Sequence, residues 1–374
     1  MWKQVESLLK QGVDQNLFSG CALVVRSGTE EYLRTAHGFA EREPRLREAN
    51  NATVWDLASL TKVLVTTPVV MCMVEQGRLD LDVPLSKWIP DAPTGVTAAH
   101  CLAHSSGLPA WKPLFATVIE EQLRWGARAT RERMLELALA HRTLAAPGQA
   151  YAYSDLGILL LGAALERMNG ERLDRLWEEM VQPRANVDLR WGWEGAAATE
   201  MCPVRGEMVI GNVHDLNAAV MGGIAPHAGL FGSAVEVAKM AAWQMRAHQA
   251  RESSLSSGTV QRFFGANGPG SHHLGWDGVS PGGSAGPFWP KDGVGHLAFT
   301  GCSVWMAPAE DVLVVFLSNR IHPYVGDGPA LGPATPEDPL APRTVGFREF
   351  RPRLHTSIVE ALRAGGKWRP GPGA

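Results

Sequence analysis

The chain has few cysteines and no spacing that would pair them. There are five in 374 residues: Cys21, Cys72, Cys101, Cys202 and Cys302. An odd number of widely separated cysteines does not match the disulfide framework of a small secreted domain. We therefore expect reduced thiols, which are typical of cytoplasmic proteins.

Long apolar stretches are also missing. The longest, near residues 63–74 and 156–165, fall short of the roughly 18 apolar residues that a membrane-spanning helix needs. Residues 1–6 begin directly with an amphipathic pattern and lack the apolar run and small-residue cleavage site of a secretory signal. The sequence predicts no membrane span, and together with the cysteines it predicts a cytoplasmic location.

Neither sign of charge is in large excess, because 35 basic and 38 acidic residues leave a net charge of −3. Such a balance argues against a nucleic-acid or polyanion partner. Hydrophobic residues make up 45% of the chain and charged residues 20%, so a chain of this length can bury a large core in one or two domains. The composition agrees with a soluble enzyme and makes no prediction of oligomeric state.

The most informative stretch is Ser59-Leu60-Thr61-Lys62, which places a hydroxyl and an amine one helical turn apart. On a helix, residues at i and i+3 have Cβ atoms about 5–6 Å apart, so the amine can reach the hydroxyl. A serine becomes a good nucleophile only when a base takes its proton, and a lysine is a base only where its surroundings favour the neutral amine. Ser59 and Lys62 are therefore a candidate nucleophile and base.

The flanking residues predict where this helix begins and where it changes. Thr53 and Asp56 are both of the type that caps a helix N-terminus. Ser59 would then lie in the first turn, where free backbone N–H groups and the helix dipole favour developing negative charge. Pro68 predicts a kink, or the end of regular bonding, after Lys62.

Spacing alone is weak evidence, because Ser7 and Lys10 share it in an ordinary amphipathic helix. A G-x-S-x-G pattern at residues 282–286 lies in a Gly/Pro-rich loop, so we reject it as a nucleophile elbow, which needs a strand before it and a helix after it. His100 and His104 have the i, i+4 spacing of zinc ligands, but a cysteine stands where the H-E-x-x-H motif has its glutamate. We predict no metal and no cofactor.

Three later segments supply possible partners for Ser59. They contain a turn-forming cluster that begins with a histidine, a tyrosine and an aspartate ahead of an apolar helix, and a histidine ahead of two strand-like runs. Nucleophile activation and oxyanion binding need such partners to converge in space. The segments are residues 104–109, 151–162 and 295–301, the last followed by the strand-like runs 302–308 and 312–318.

With these segments the chain resembles the serine β-lactamase and penicillin-binding-protein family, in particular the branch of class C β-lactamases, D-alanyl-D-alanine carboxypeptidases and related esterases. Residues 153–155, Tyr-Ser-Asp, stand in the place of the family's Tyr-x-Asn motif. Residues 296–298, His-Leu-Ala, stand in that of its Lys-Thr-Gly or His-x-Gly motif. The other similar segments are residues 54–62 (nucleophile segment), 77–85 (turn after the nucleophile helix) and 212–218 with 227–231 (found in a subgroup).

The resemblance implies an α/β (α+β) fold of the β-lactamase/transpeptidase type, with an antiparallel sheet flanked by helices and an inserted helical region. We predict an α/β domain built from residues 1–77 and 201–374, a mainly helical region at 78–200, and an active site between them. Hydrophobic periodicity predicts the individual elements, and Gly/Pro content predicts mobile loops or lids. The elements are helices at 5–17, 131–139, 156–168, 173–181 and 352–364, the last starting at Pro352, strands at 21–26 and 31–36, and loops at 265–295 and 323–346.

The resemblance also implies catalytic roles. Ser59 would attack a carbonyl carbon, and Lys62 with Tyr153 would take the proton and return it to the leaving group. His296 would face the site where the family has a cation or an imidazole. Backbone N–H groups of Ser59 and Phe299 would hold the oxyanion.

Two residues at predicted substrate-binding positions depart from the family pattern. Asp155 replaces an asparagine, so a carboxylate that only accepts hydrogen bonds stands in place of an amide that also donates. Ala298 replaces a glycine where the backbone should approach the substrate closely.

A histidine and aspartate pair, His214 and Asp215, with His227 nearby, is either catalytic or, as we favour, a structural pair that holds a loop. The predicted substrate-binding residues are Asp155, Ala298, Trp111 and His227.

The function predicted from sequence is a serine hydrolase that works through an acyl-enzyme. A small ester is the first choice of substrate, because esters need less leaving-group assistance than amides. β-Lactams or D-amino-acid peptides are the second choice. A non-catalytic binding protein on the same fold is the third hypothesis, and the presence of Ser59, Lys62 and Tyr153 argues against it.

Overall fold

The computed structural model of the protein describes residues 2–265, 268–323 and 342–368. The strands of the described residues form a seven-stranded antiparallel sheet, built from both ends of the chain, and two smaller sheets. The strands are β1 Gly20–Ser27, β2 Glu30–Glu41, β3 Arg47–Glu48, β4 Trp55–Asp56, β5 Arg190–Trp191, β6 Ala198–Cys202, β7 Glu207–Ile210, β8 Leu230–Gly232, β9 Asp277–Gly278, β10 Val294–Leu297, β11 Ser303–Ala307 and β12 Val312–Ser318. Seven of them lie in the order β3-β2-β1-β12-β11-β10-β9. The predicted antiparallel sheet is confirmed.

Alternation of side chains along β1 and β12 explains why the sheet has two buried faces. Cys21, Leu23 and Val25 of β1 belong to one apolar cluster, whereas Ala22 and Val24 belong to another. Successive side chains of a strand point to opposite faces, so each face of this central pair contributes to a different layer of the core. Both faces are therefore covered by helices.

The helices divide between the two faces of the sheet and a helical region. The first and last helices pack together on one face, and the long helix after β8 packs on the other. The helices are α1 Trp2–Asp14, α2 Thr67–Glu75, α3 Ala98–Leu102, α4 Leu114–Glu120, α5 Arg128–Leu139, α6 Asp155–Asn169, α7 Leu173–Met180, α8 Gln182–Ala185, α9 Leu216–Val220, α10 Ala234–His248, α11 Ser257–Gly265 and α12 Pro342–Ala364. Helices α1, α5, α6 and α7 confirm four of the predicted helices, and β11 and β12 confirm the strand-like runs.

Helix α12 begins earlier than predicted. Pro352, expected at its first turn, lies inside the helix. A proline inside a helix removes one backbone hydrogen bond. The turn before it is nevertheless held in place, because Phe347 and Phe350 are buried and contact Phe18 edge to face. Aromatic packing therefore supports a helical turn ahead of Pro352, where the proline signal alone predicts the helix start.

The two predicted loops also differ from expectation in part. Within the first predicted loop, residues 268–293 are mostly loop, but Trp276 and Trp289 are buried in the core, and residues 266–267 lie outside the described residues. Of the second predicted loop, residues 324–341 lie outside the described residues, and residues 342–346 already belong to α12. Among the helices of the described residues, none is long and apolar enough to cross a membrane. All five cysteines are buried and unpaired.

Candidate active site

The segment that carries Ser59 is fixed by the buried carboxylate of Asp56. Its Oδ1 accepts from the Ala58 N–H at 2.8 Å, and its Oδ2 accepts from the His214 N–H at 2.7 Å. Ala58 has φ +43°, a left-handed conformation that is unusual for a residue with a side chain. This backbone turn is therefore held by its neighbours rather than by its own preference.

The prediction that Thr53 or Asp56 caps the nucleophile helix is wrong, because both side chains bind other backbone groups. Asp56 holds Ala58 and His214, and the Thr53 hydroxyl accepts from the Asn50 N–H. Ser59 lies in the turn just before the helix begins. A π-helical turn at Lys62–Thr66 then leads into α2, so the hydrogen-bonding register changes just before the proline at position 68. A π-turn inside an α-helix is often found at functional sites.

Lys62 lies at the centre of the site with its amine surrounded by acceptors. Its Nζ is 2.9 Å from Ser59 Oγ, 3.3 Å from the His227 carbonyl oxygen and 2.8 Å from Asp155 Oδ1. The Lys62 side chain is 1% exposed, and that of Asp155 is 17% exposed. An ammonium has three N–H donors, and these oxygens, with the Tyr153 hydroxyl as a further partner, are acceptors for them.

Asp155 controls the charge of Lys62. Burial lowers the pKa of Lys62, but attraction from Asp155 and Tyr153, with hydrogen bonds to both, outweighs the burial and leaves the pKa above its ordinary value. Lys62 is therefore an ammonium at neutral pH. The structure places the two charged groups in contact, with 2.8 Å between Lys62 Nζ and Asp155 Oδ1.

The start of helix α6 brings Tyr153 and Asp155 to the nucleophile. Ser154 caps this helix, because its hydroxyl accepts from the Gly157 N–H at 3.0 Å. The Tyr153 phenol interacts with Ser59 and Lys62, and the Lys62 Nζ lies 5.0 Å from the centre of its ring. Burial and the charge of Asp155 raise the pKa of Tyr153, although Lys62 and Ser59 lower it in part. The phenol is protonated at neutral pH.

Free backbone donors lie beside Ser59. Among the described residues, neither the Ser59 N–H nor the Phe299 N–H donates to a protein acceptor. The Thr300 hydroxyl donates to the Asp56 carbonyl oxygen at 2.9 Å, which ties the turn after β10 to the segment before the nucleophile. Phe299 therefore lies next to the nucleophile segment, as an oxyanion donor requires.

The other predicted site residues contribute through their backbone or lie at the edge. His227 contacts Lys62 through its carbonyl oxygen, while its imidazole pairs with Asp215 at 3.1 Å. Ala298 lies just beyond β10, and its N–H donates to the Cys302 carbonyl at 2.8 Å in a turn. Trp111 follows Ala110, whose carbonyl accepts from the Asp155 N–H at 2.8 Å. Substrate contacts of His227, Ala298 and Trp111 stay predictions.

His214 contacts both the segment before Ser59 and the turn that contains Phe299. Its Nε2 lies 2.8 Å from Glu200 Oε1, and its ring stacks on that of Phe299 at 5.5 Å between centres. Its backbone N–H bonds to Asp56. These contacts agree with the interpretation that His214 is structural. Its ring supports the turn that contains Phe299.

His296 lies in a buried cluster of imidazoles instead of lining an open cleft. Its side chain is 1% exposed, and its Nδ1 donates to the Leu297 carbonyl at 2.8 Å. The neighbouring imidazoles are His104 and His272. His104 belongs to one of the three segments that the sequence offers as partners for Ser59, whereas the sequence analysis does not identify His272. His272 lies in a glycine-rich loop that carries no periodic signal.

The chain was compared with known proteins. A family model described as "Beta-lactamase" matches residues 5–331. N-acetylmuramyl-L-alanine amidase of Bacillus subtilis (strain 168) is 26% identical over 371 residues, covering 87% of this chain and 82% of the relative. Esterase EstB of Burkholderia gladioli is 33% identical over 182 residues, 45% of each chain.

Solved structures agree on the fold. EstCE1, described as a hydrolase with promiscuous acyltransferase activity, superposes with a TM-score of 0.67 at 23% identity, covering 85% of this chain and 93% of the other. At this level of identity the likeness shows the fold alone. Because the family model spans most of the sequence, the chain belongs to the β-lactamase family.

Proposed function

We propose that the protein is a serine hydrolase that cleaves a small ester through an acyl-enzyme on Ser59. The observation that carries this proposal is the 2.9 Å contact between Ser59 Oγ and the buried Lys62 Nζ. In the part of the chain that the structure describes, the N–H groups of Ser59 and of Phe299, whose turn is tied to Asp56, donate to no protein acceptor. Ser59 is partly exposed, so a substrate carbonyl can reach it. Nucleophile, proton-transfer group and oxyanion donors are thus in one place.

Ser59, Lys62 and Tyr153 account for every proton that moves during acylation. The Ser59 oxygen bonds to the carbonyl carbon, and its proton passes to the neutral form of Lys62. Tyr153, which interacts with both side chains, stabilises the transfer. The proton then goes to the leaving alkoxide as the ester C–O bond breaks. Water attacks the acyl-enzyme by the same route and releases the acid.

Asp155 favours an ester over an amide. It keeps Lys62 mostly in the ammonium form, so little neutral base is present at pH 7. The amine of an amide must be protonated before it can leave, whereas the aryloxide of an aryl ester leaves without a proton. The site therefore handles a reactive ester best. An amide is the second candidate, because the relative named as an amidase aligns with 87% of this chain.

We expect short-chain aryl esters to be hydrolysed with a higher kcat/KM than a chromogenic cephalosporin, by about tenfold or more. The reason is the small fraction of neutral Lys62 together with the alanine at position 298. The measurement is initial rates for 4-nitrophenyl butyrate and the cephalosporin on the same enzyme sample. Equal or faster cephalosporin turnover would show that the substrate is a lactam amide.

Asp155→Asn is expected to move the rising limb of the pH profile of kcat/KM to lower pH by about one unit or more, and to raise ester hydrolysis at pH 7 about tenfold. The sign follows from the ion pair. Asp155 raises the pKa of Lys62, so the neutral base forms only at high pH. An amide at position 155 removes that attraction while burial, which lowers the pKa, remains.

The matched control is Asp82→Asn, which removes an exposed carboxylate. Its pH profile should coincide with that of the unaltered enzyme. A loss of activity in Asp155→Asn at every pH would contradict the prediction, because it would make the carboxylate itself the final proton acceptor, with Lys62 only passing the proton to it.

A further inference from the structure

Three imidazoles meet behind Tyr153 in a group that we call the histidine cage: His104, His272 and His296. One ring nitrogen of each lies within 4.8 Å of those of the other two. Their side chains are nearly inaccessible, with exposed fractions of 1%, 5% and 1%. The His104 ring packs against Tyr153 with 4.3 Å between ring centres. The cage is therefore buried, polar and adjacent to the candidate active site.

The Nδ1 atoms of the cage have partners that fix the position of the proton on each ring. The Ser154 N–H donates to Nδ1 of His104 at 3.0 Å, so this nitrogen carries no proton. Nδ1 of His296 lies 2.8 Å from the Leu297 carbonyl, which can only accept, so this nitrogen carries the proton. A neutral imidazole has one N–H and one lone pair. Therefore Nε2 is a donor in His104 and an acceptor in His296.

His272 follows the pattern of His296. Its Nδ1 lies 2.9 Å from the Tyr151 hydroxyl and 3.4 Å from Asp277 Oδ1. The nearby carboxylate favours a proton on Nδ1, which leaves a lone pair on Nε2. Burial lowers the pKa of His272 to about 3, with repulsion from Lys62 and His273 adding to it. Burial likewise lowers the pKa values of His104 and His296 well below their ordinary range. All three rings are neutral at pH 7.

All three Nε2 atoms are buried, and within the part of the chain that the structure describes none has a hydrogen-bond partner. Unsatisfied buried polar atoms are costly, so a bridging group is required. The cage offers one N–H from His104 and two lone pairs, from His272 and His296. A group that fits must accept one hydrogen bond and donate two.

A zinc ion does not fit this pattern. It would need lone pairs on all three Nε2 atoms, and His104 presents a proton instead. The ammonium of Lys62 also repels positive charge at the cage, since it contributes to the lowered pKa of each of the three rings. A water molecule fits, because it accepts from His104 and donates to the other two rings.

We propose that the histidine cage binds one water molecule and no metal ion, and that His272, acting through this water, is a positioning residue for His296 and Tyr153. The link to Tyr153 runs through the His104 ring and the Ser154 N–H at the start of α6. The water-binding part stands alone, whereas the positioning part rests on the proposed function. His272 thereby connects the loop before β9 with β10 and with the start of α6.

The binding part is tested on the full-length protein without reference to activity. Long-range 15N NMR on histidine-labelled protein is expected to show the Nε2–H tautomer for His104 and the Nδ1–H tautomer for His272 and His296. Incubation with Zn2+ or Co2+ followed by dialysis should leave no bound metal by mass spectrometry and no visible Co2+ absorption. Stoichiometric metal that disappears in His272→Gln, or a Nδ1–H tautomer at His104, would overturn the proposal.

The positioning part is tested with His272→Phe and His272→Gln. Phenylalanine cannot accept a hydrogen bond, so kcat for the aryl ester should fall about 10- to 100-fold with KM changed less than about threefold. The glutamine amide oxygen can accept from the water, so this variant should recover most of kcat. His248→Phe, a half-buried ring stacked on Phe264 away from the cage, is the control.

Each outcome for these variants decides the matter. Normal kcat in His272→Phe, or equal losses in the phenylalanine and glutamine variants, would remove the water-mediated role. If the protein hydrolyses no ester, the proposed function fails, and the NMR and metal results still decide what the cage binds. If His272→Phe does not fold, His272→Gln alone decides. The proposal predicts that this variant keeps most of kcat. A purely steric role of the ring instead predicts a lower kcat with normal His296 chemical shifts.

Discussion

Replacing Ser59 with alanine is expected to lower kcat/KM for an aryl ester by more than about 10⁴-fold and to abolish covalent labelling by a fluorophosphonate. The reason is geometric. Ser59 Oγ is the hydroxyl that the Lys62 amine contacts, at 2.9 Å. Its own N–H, and that of Phe299 in the turn tied to Asp56, donate to no acceptor among the described residues and are the candidate oxyanion donors. Intact-protein mass spectrometry after exposure to the reagent measures the label directly.

The chain provides two matched controls for this variant. Ser7→Ala removes the serine of the second Ser-x-x-Lys sequence, which lies exposed on α1. Ser284→Ala removes the serine of the G-x-S-x-G pattern, which lies in the loop between β9 and β10. Both variants should keep activity and label. Labelling that persists in Ser59→Ala, or a labelled peptide that contains Ser284, would reassign the nucleophile.

Contacts that are local in sequence could be predicted. The Ser59 and Lys62 side chains meet because residues one turn apart on a helix face the same way. Strands β11 and β12 followed from apolar runs typical of strands, and α6 followed from its strongly apolar content. These predictions needed no knowledge of the rest of the chain.

Contacts between distant segments were beyond a single sequence. The ion pair of Lys62 with Asp155 joins residues far apart in the chain, and only the docking of α6 against the nucleophile segment sets its 2.8 Å distance. His272 gave no signal because its glycine-rich surroundings have no periodicity. The positions of both residues depend on tertiary packing, which a local pattern does not contain.

The start of the nucleophile helix differs from the prediction in a local detail. Asp56 has the side chain of a cap, but it binds the Ala58 and His214 N–H groups across two segments. Pairing of β4 with β8 fixes the segment that carries Asp56, with the Leu57 N–H donating to the Leu230 carbonyl at 3.0 Å. Tertiary contacts therefore set the turn that carries Ser59.

Lys62→Met should reduce kcat/KM for the aryl ester about 10³-fold, within the range that proton-transfer groups contribute. Methionine has a similar length, so it fits the buried position, although it leaves the Asp155 carboxylate without its cation. The variant keeps the Ser59 hydroxyl but removes the group that takes its proton. Fluorophosphonate labelling should slow in parallel. Lys10→Met, the lysine of the second Ser-x-x-Lys sequence, is the control and should behave as the unaltered enzyme.

Combining Lys62→Met with Asp155→Asn tests whether the carboxylate acts only through the lysine. If Asp155 sets the pH profile by raising the pKa of Lys62, its replacement has nothing to act on once Lys62 is methionine. The double variant should then show the same residual rate and pH profile as Lys62→Met. Near-normal activity of Lys62→Met would remove the lysine from the mechanism. A shift of the residual profile on adding Asp155→Asn would instead show that Asp155 titrates in the reaction on its own account, as a direct proton acceptor for Ser59.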